Sequence, residues 1–407
     1  MRILFIVDNF PPEYNAPATR TFEHCREWVK KGDDVTVITC EPNFPGGVLY
    51  PGYRNKIVHR EVMEGIKVIR VWSYIAPNAK FIKRIVDYLS FSVSAFLFGL
   101  SVRCDLIIAT SPQFFTTWAA FLLSQVKKTP WIFELRDLWP ESIVAVGAMR
   151  KRPAIRMLEL IELGLYRDAC RVVALTDAFK KNLVRRGINA KKIEVIPNGS
   201  NLGRFYPREK NPALLRKLGL GGKFVVGYIG TIGMAHGLDL LIKDIAEFKD
   251  KDTVFLFVGD GATKKSLVAR ARDLGADNAI FLGAVSKEEV ADYLSLVDLS
   301  LIPLKREAAF KNVIPSKIFE SAAMGIPILL GVEGQALSIV EGFQAGVGFI
   351  PEDGKDMLNK LLALKADKEL FRRIGVNCLA LAKAYDRTML AEKMRRVLHE
   401  STQTERT

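Results

Sequence analysis

No stretch of this sequence stays apolar for the roughly 20 residues that a membrane-spanning helix requires. Histidine is scarce, four in 407 residues, and the five cysteines (Cys25, Cys40, Cys104, Cys170 and Cys378) are odd in number, far apart and set in apolar surroundings. No Asp, His and Cys cluster with metal-ligand spacing occurs, and the cysteines read as reduced core residues rather than a disulfide frame. No Gly-x-Gly-x-x-Gly follows the first strand, which argues against a nicotinamide dehydrogenase. The chain opens directly on an apolar strand, without a charged segment and cleavage site, so no export signal is expected. Acidic residues are outnumbered, 45 Asp and Glu against 59 Lys and Arg, leaving a formal charge of +14. An anionic partner follows, whether nucleic acid, acidic lipid or phosphorylated substrate.

What is present is a rhythm. Short Val- and Ile-rich runs at Ile3 to Val7, Val35 to Thr39, Leu106 to Ala109, Trp131 to Glu134, Arg171 to Ala174 and Ile193 to Ile196 alternate with segments of helical period. That alternation predicts a parallel sheet covered on both faces. After a polar stretch from Asn201 to Lys223 the pattern restarts at Phe224 to Ile229, Thr253 to Val258, Ala279 to Leu282, Leu299 to Pro303 and Ile326 to Leu330. Two α/β, Rossmann-like, doubly wound domains are expected, over residues 1–200 and 201–384, with a C-terminal helix at about 385–400 packing back on the first.

The segment from Lys80 to Arg103 departs from this rhythm. Lys80, Lys83 and Arg84 precede a run containing Phe91, Phe96 and Phe98 that is too short to span a bilayer. Either it is a buried domain helix, or it lies in a membrane interface with its basic start among acidic headgroups. Asp250-Lys251-Asp252 has the spacing of a metal motif, but it precedes a strand in a charged turn and reads as solvated surface.

The most informative stretch runs from Ile302 to Gly325. A strand ends at Pro303, a charged loop follows, and Pro315-Ser316 opens a helix that Gly325 terminates. The first-turn amides and Lys317 form a potential anion site, and Glu320, one turn on, suits the paired hydroxyls of a ribose. A surface Lys and Glu pair is the plainer alternative. Gly227 to Gly233 reads as a strand entering a Gly-rich loop, where the missing side chains let a phosphate approach the backbone.

This stretch resembles the C-terminal motif of retaining GT-B glycosyltransferases of the family-four type, a Glu-x7-Glu followed by Ala-x-x-Gly-x-Pro. Glu320, Ala323, Gly325 and Pro327 match, whereas Asn312 stands at the first Glu position. The form Pro315-Ser316-Lys317 is similar to that of a subgroup transferring N-acetylated, fucosamine-type sugars in O-antigen and capsule assembly. The resemblance covers nearly the whole chain. It implies two domains facing each other across a cleft, a nucleotide-sugar donor that is a substrate and not a cofactor, and a polyprenyl-diphosphate-linked saccharide acceptor at the inner face of the cell membrane. By the same resemblance Glu320 grips the ribose, and Lys317 with Pro315 and Ser316 holds the diphosphate. Gly230, Thr231, Gly233 and His236 form the donor loop, with Thr231 and His236 where relatives carry Arg and Lys. Gly259 matches a Gly-x-Gly turn, Val285 a base-contacting loop, and Asn198 the turn that closes the first domain. Arg136 and Asp137 take the place of a His-Asp pair beside the donor sugar, the alternative being a local ion pair. Asn15, Arg20 and Glu134 fall on the acceptor side. No metal and no nucleic acid is implied, and the leaving phosphate itself assists deprotonation of the acceptor hydroxyl. A GT-B sugar-nucleotide epimerase and a non-catalytic sugar-nucleotide-binding subunit are the rival readings.

Overall fold

Central strands apolar on both faces are what the computed structural model shows in two separate sheets. It describes residues 1–44, 46–75, 81–111, 114–138 and 152–403, without the side chains of residues 81, 82, 152, 154 and 309. Contacts divide the chain into unit 1, Met1–Pro197 with Arg387–Thr407, and unit 2, Asn198–Asp386.

Unit 1 runs β1 (Arg2–Ile6), α1 (Ala16–Lys30), β2 (Asp34–Cys40), β3 (Val58–Met63), β4 (Ile66–Val71), α2 (Phe81–Gly99), β5 (Leu106–Thr110), α3 (Phe114–Lys127), β6 (Trp131–Leu135), α4 (Arg152–Asp168), β7 (Arg171–Ala174), α5 (Asp177–Arg185) and β8 (Ile193–Val195). Its sheet order is β3-β4-β2-β1-β5-β6-β7-β8, with β3 antiparallel to β4 and the other pairs parallel. Ile3 and Phe5 join one core with Cys25 and Trp28 of α1, while Leu4 and Ile6 join another with Phe91 and Ala95 of α2. The β3–β4 hairpin was not legible as strands. It turns at Glu64 and Gly65, whose φ values of 47° and 82° mark a turn that matches strand twist.

Unit 2 runs α6 (Pro212–Lys217), β9 (Phe224–Ile229), α7 (Leu238–Glu247), β10 (Thr253–Val258), α8 (Lys264–Asp273), β11 (Ala279–Leu282), α9 (Val290–Ser295), β12 (Leu299–Pro303), α10 (Lys317–Ala323), β13 (Ile328–Gly331), α11 (Gln335–Gly342), β14 (Gly346–Gly348), α12 (Gly354–Ala366) and α13 (Lys368–Ala384). The six strands are parallel in the order β11-β10-β9-β12-β13-β14. The last helix, α14 (Arg387–Gln403), returns to unit 1. There Trp28 donates to the Ala391 carbonyl at 2.9 Å, and Arg395 pairs with buried Asp33 at 2.6 Å.

One expectation changes here. Phe91 is 1% exposed in the core, and Phe96 and Phe98 pack half-buried against the same cluster, so these rings face the sheet and not a lipid surface. Burial against the sheet removes more aromatic area from water than a surface position could. Lys83 and Arg84 are exposed, and Lys80 lies outside the described residues. Asp250 is tied to Lys365 at 2.5 Å and to Thr253 at 2.9 Å, a turn fastened by its own contacts.

Candidate donor site in unit 2 and a buried charge network in unit 1

In an open parallel sheet, ligands bind outside the carboxyl ends of strands at the point where strand order reverses. In unit 2 that point lies between β9 and β12, because β10 and β11 extend to one side of β9 and β13 and β14 to the other. The loop after β9 carries Gly230 to Gly237, the loop after β12 carries Leu304 to Ser316, and Lys305 N donates to Ala235 O at 2.9 Å between them. Gly230, Thr231, Gly233 and His236 thus share one edge with Asn312, Pro315, Ser316, Lys317 and Glu320.

Lys317, at the start of α10, reaches back under the first loop. Its Nζ lies 3.8 Å from the centroid of the Tyr228 ring. Gly230 adopts φ 137°, and a Cβ there would stand 2.6 Å from Lys317 Cε, so the glycine makes room for the lysine stem. Tyr228 is buried, donates its hydroxyl to the Thr231 carbonyl, and carries the His236 ring edge-on at 5.8 Å. Burial pushes the Lys317 ammonium down to about 7, against the opposing pull of Glu320. Burial first, and then Lys317, push His236 down to about 4, so its imidazole is neutral and adds no charge for a diphosphate. Lys305, whose Cγ would lie 3.3 Å from a Cβ on Gly237, is a cation at this edge that sequence reading passed over.

The helix start is less open than expected. The amides of Ile318 and Phe319 are taken by the carbonyls of Pro315 and Ser316 at 3.2 and 3.0 Å. The positive side chain therefore carries more of any anion binding than the helix end does. The helix itself is firmly placed: Ser321 and Ser300 hydroxyls meet at 2.7 Å, and Phe319 stacks on Tyr385 at 4.7 Å. At its end, Gly325 with φ 72° lets Gly325 N and Ile326 N close on Ala322 O and Ser321 O, both at 3.0 Å. Lys317 and Glu320 line one small cavity with Ile229 and Ser300. Asn312 is half-buried at the end of a short turn, Ala308–Asn312. Gly259 has a packing reason of its own, since a Cβ there would lie 1.9 Å from Gly230 O. Val285 is half-buried against the unit 2 core, and Asn198 begins the unit.

In unit 1 the expected acceptor-side residues are mostly structural. Arg20 and Glu134 are 2% and 1% exposed and pair at 2.9 Å. Arg20 also donates to Pro197 O at 2.6 Å and Ile196 O at 2.9 Å. Buried charges are held in this way because each needs a partner, although Glu134 Oε2, like Arg136 Nη1, is buried without a hydrogen-bond partner among the described residues. Asn15 caps α1, accepting from Ala18 N at 2.9 Å while donating to Asn9 at 2.8 Å.

Arg136 differs from these. Its backbone N donates to Ser111 Oγ at 2.9 Å, but Nη1 is buried with no hydrogen-bond partner among the described residues. Burial lowers its guanidinium to about 10, opposed by Glu134 and reinforced by Arg20 and Arg387. Asp137 follows it, half-buried. Asp8, two residues beyond β1, is a further carboxyl that sequence reading missed, raised to about 8 by burial and then by Glu13. Its position after the first strand was the available signal.

Similarity to known proteins bears on the family and the fold. Residues 15–199 match the family described as glycosyl transferase 4-like domain, and residues 211–378 match glycosyl transferases group 1. The putative colanic acid biosynthesis glycosyl transferase WcaI of Escherichia coli K12 is 27% identical over 80% of this chain and 82% of its own length. Among solved structures, sucrose-phosphate synthase from Thermosynechococcus elongatus superposes with a TM-score of 0.79 at 18% identity, covering 98% of both chains. Anabaena Alr3699/HepE, solved in complex with UDP and glucose, gives 0.72 at 18% identity over 98% of this chain and 99% of its own. At such identities the structures speak for a shared two-domain fold.

Proposed function

The chain belongs to the glycosyltransferases in which a 4-like domain is joined to a group 1 domain, and on that footing we propose that it moves a sugar, with retention, from a UDP-sugar to a polyprenyl-diphosphate-linked saccharide. The sugar is read as an N-acetylated 6-deoxy aminosugar of O-antigen or capsule assembly. The observation that carries this reading is Lys317, held 3.8 Å over the Tyr228 ring at the strand-order reversal, with Glu320 one turn on. A cation poised between two loops suits a diphosphate, and a carboxylate beside it suits ribose hydroxyls. The colanic acid role assigned to WcaI and the UDP and glucose bound by HepE support the pathway and the donor class.

In this proposal the C1–O bond to the diphosphate breaks as the acceptor oxygen bonds to C1 from the same face. The acceptor's proton passes to the departing phosphate oxygen, and a nucleoside diphosphate leaves. Lys317 stabilises the charge that develops on that phosphate. Arg136, with its unpartnered Nη1, and Asp137 contact the reacting sugar. The enzyme acts without a divalent metal, at the cytoplasmic face of the membrane.

A panel of UDP- and GDP-sugars, read first by thermal shift, identifies the donor. Transfer to a polyprenyl-diphosphate sugar follows in EDTA, with the anomeric configuration of the product read by NMR. Hydrolysis or epimerisation of the donor without acceptor would sink the transferase reading, and inversion or a Mg²⁺ requirement would each overturn that part of it.

A further inference from the structure

The phenylalanines of α2 turn inward, yet the outer face of the helix is apolar as well. Val86, Leu89, Val93 and Leu97 follow one another at three- and four-residue steps and are 41 to 58% exposed. A helix at the surface of a soluble domain normally sets polar residues opposite its buried stripe, and one apolar on both sides needs a second apolar environment. The neighbouring helices continue the pattern. α3 packs between α2 and α4 and exposes Leu122 and Val126, and α4 exposes Met157 and Leu160. Single exposed leucines are ordinary, but stripes on three adjacent helices of one layer are a patch.

The exposed charges around the patch are predominantly basic. Lys83 and Arg84 are exposed at the start of α2, Arg103 just beyond its end, Lys128 after α3, and Arg156 and Arg167 on α4. Of the acidic groups on these helices, Glu162 is buried against Tyr166 and Arg186, while Asp168, exposed at the end of α4, is engaged by Trp131 Nε1 at 2.7 Å. Asp87 and Glu159 are half-buried.

We propose that the outer faces of α2, α3 and α4 form a docking surface for an acidic lipid bilayer, with the aliphatic stripes entering the interface and the basic rim meeting headgroups. Among the described residues no helix is long and apolar enough to cross a membrane, so the contact is made from one side. A second copy of the chain is the poorer occupant, because a two-fold contact would bring the basic rim against itself. The inference rests on the reading of a lipid-linked acceptor, which it supplies with a surface.

The test uses the full chain and co-sedimentation with phosphatidylglycerol vesicles, set against pure phosphatidylcholine. The parent should bind the anionic vesicles and release in high salt. The double variant Val93→Ser and Leu97→Ser should bind at least about tenfold less, since it removes exposed aliphatic area. Because both side chains are exposed, its melting temperature and its thermal shift with UDP-sugar should stay at parental values. Phe91→Ser, a core change, should lower the melting temperature instead. Absence of parental binding to anionic vesicles, undiminished binding by the folded double variant, or a parental dimer that the variant dissolves would each overturn the proposal. Vesicle binding without any response to nucleotide-sugars would leave the docking surface standing and remove the transferase reading.

Discussion

Lys317 Nζ lies 3.8 Å from the centroid of the Tyr228 ring, a cation placed over the face of a buried aromatic. The ring holds the ammonium by cation–π attraction, while burial lowers its pKa to about 7. At that value the ammonium is on the edge of losing its charge near neutral pH. A diphosphate beside it would restore the charge, so donor binding and protonation are linked.

Proton uptake on donor binding follows. A UDP-sugar has no phosphate group titrating near neutrality, so the lysine alone should take up a proton. At about pH 8, above the free-site value, uptake should approach one proton, and at about pH 6 it should vanish because the lysine is already charged. Affinity should accordingly fall as pH rises through 7. Calorimetry in two buffers of different ionisation enthalpy measures this, and Lys317→Met should abolish the difference. Equal heats in both buffers at about pH 8 would contradict the assignment.

Gly230 and Gly259 should fail in different ways. A Cβ at Gly230 meets the movable stem of Lys317 at 2.6 Å, whereas one at Gly259 meets the Gly230 carbonyl at 1.9 Å. Gly230→Ala should therefore fold with a moderate loss, about 1 to 2 kcal/mol, and weaken UDP-sugar binding by displacing the lysine. Gly259→Ala forces backbone apart and should cost more in denaturant melts. The reverse order of stabilities would refute this account of the two loops.

Glu320→Ala should weaken nucleotide binding by one to two orders of magnitude, the loss of a charge-assisted hydrogen bond worth about 1.5 to 3 kcal/mol. It should also shift the proton uptake to lower pH, since Glu320 is the group that favours the Lys317 ammonium. Unchanged affinity for UDP measured by calorimetry would remove Glu320 from the site.

The sequence made the two sheets readable because strands such as β5 and β10 are continuous apolar runs but for one terminal Thr each, which a doubly covered sheet explains. The hairpin β3–β4 escaped because its outer residues are exposed and its turn uses Glu64-Gly65 in place of the commoner Asn-Gly. Lys317 and Glu320 were legible as a spaced pair on one helix, but Tyr228 reads as plain strand core until the fold brings Lys317 across it. Arg20 and Glu134, 114 positions apart, look like free polar groups in a linear reading, and only folding shows that they serve each other. Helix α2 carries apolar residues on two faces, so its periodicity could not tell the sheet-facing phenylalanines from the exposed aliphatic stripe.

The two arginines of unit 1 give the sharpest contrast between a structural and a functional charge. Arg20 is fully enclosed and bonded to Glu134, Ile196 and Pro197, so Arg20→Met leaves the Glu134 carboxylate buried without its partner. Breaking such a pair costs about 3 to 5 kcal/mol, and the variant should melt well below the parent. Arg136 has no partner for Nη1 among the described residues, and burial, joined by Arg20 and Arg387, outweighs the favourable pull of Glu134 on its charge. Arg136→Met removes that unfavourable charge at similar length, so its melting temperature should equal or exceed the parental value. If Arg136 contacts the reacting sugar, transfer should nevertheless fall by about two to three orders of magnitude, as when a preorganised donor is lost. Arg136→Lys, which keeps the charge but not the planar fork, should recover only part of it. Turnover and thermal melts of the three purified variants decide the matter. A stable Arg136→Met protein with parental turnover would show that this guanidinium, like that of Arg20, belongs to the fold alone.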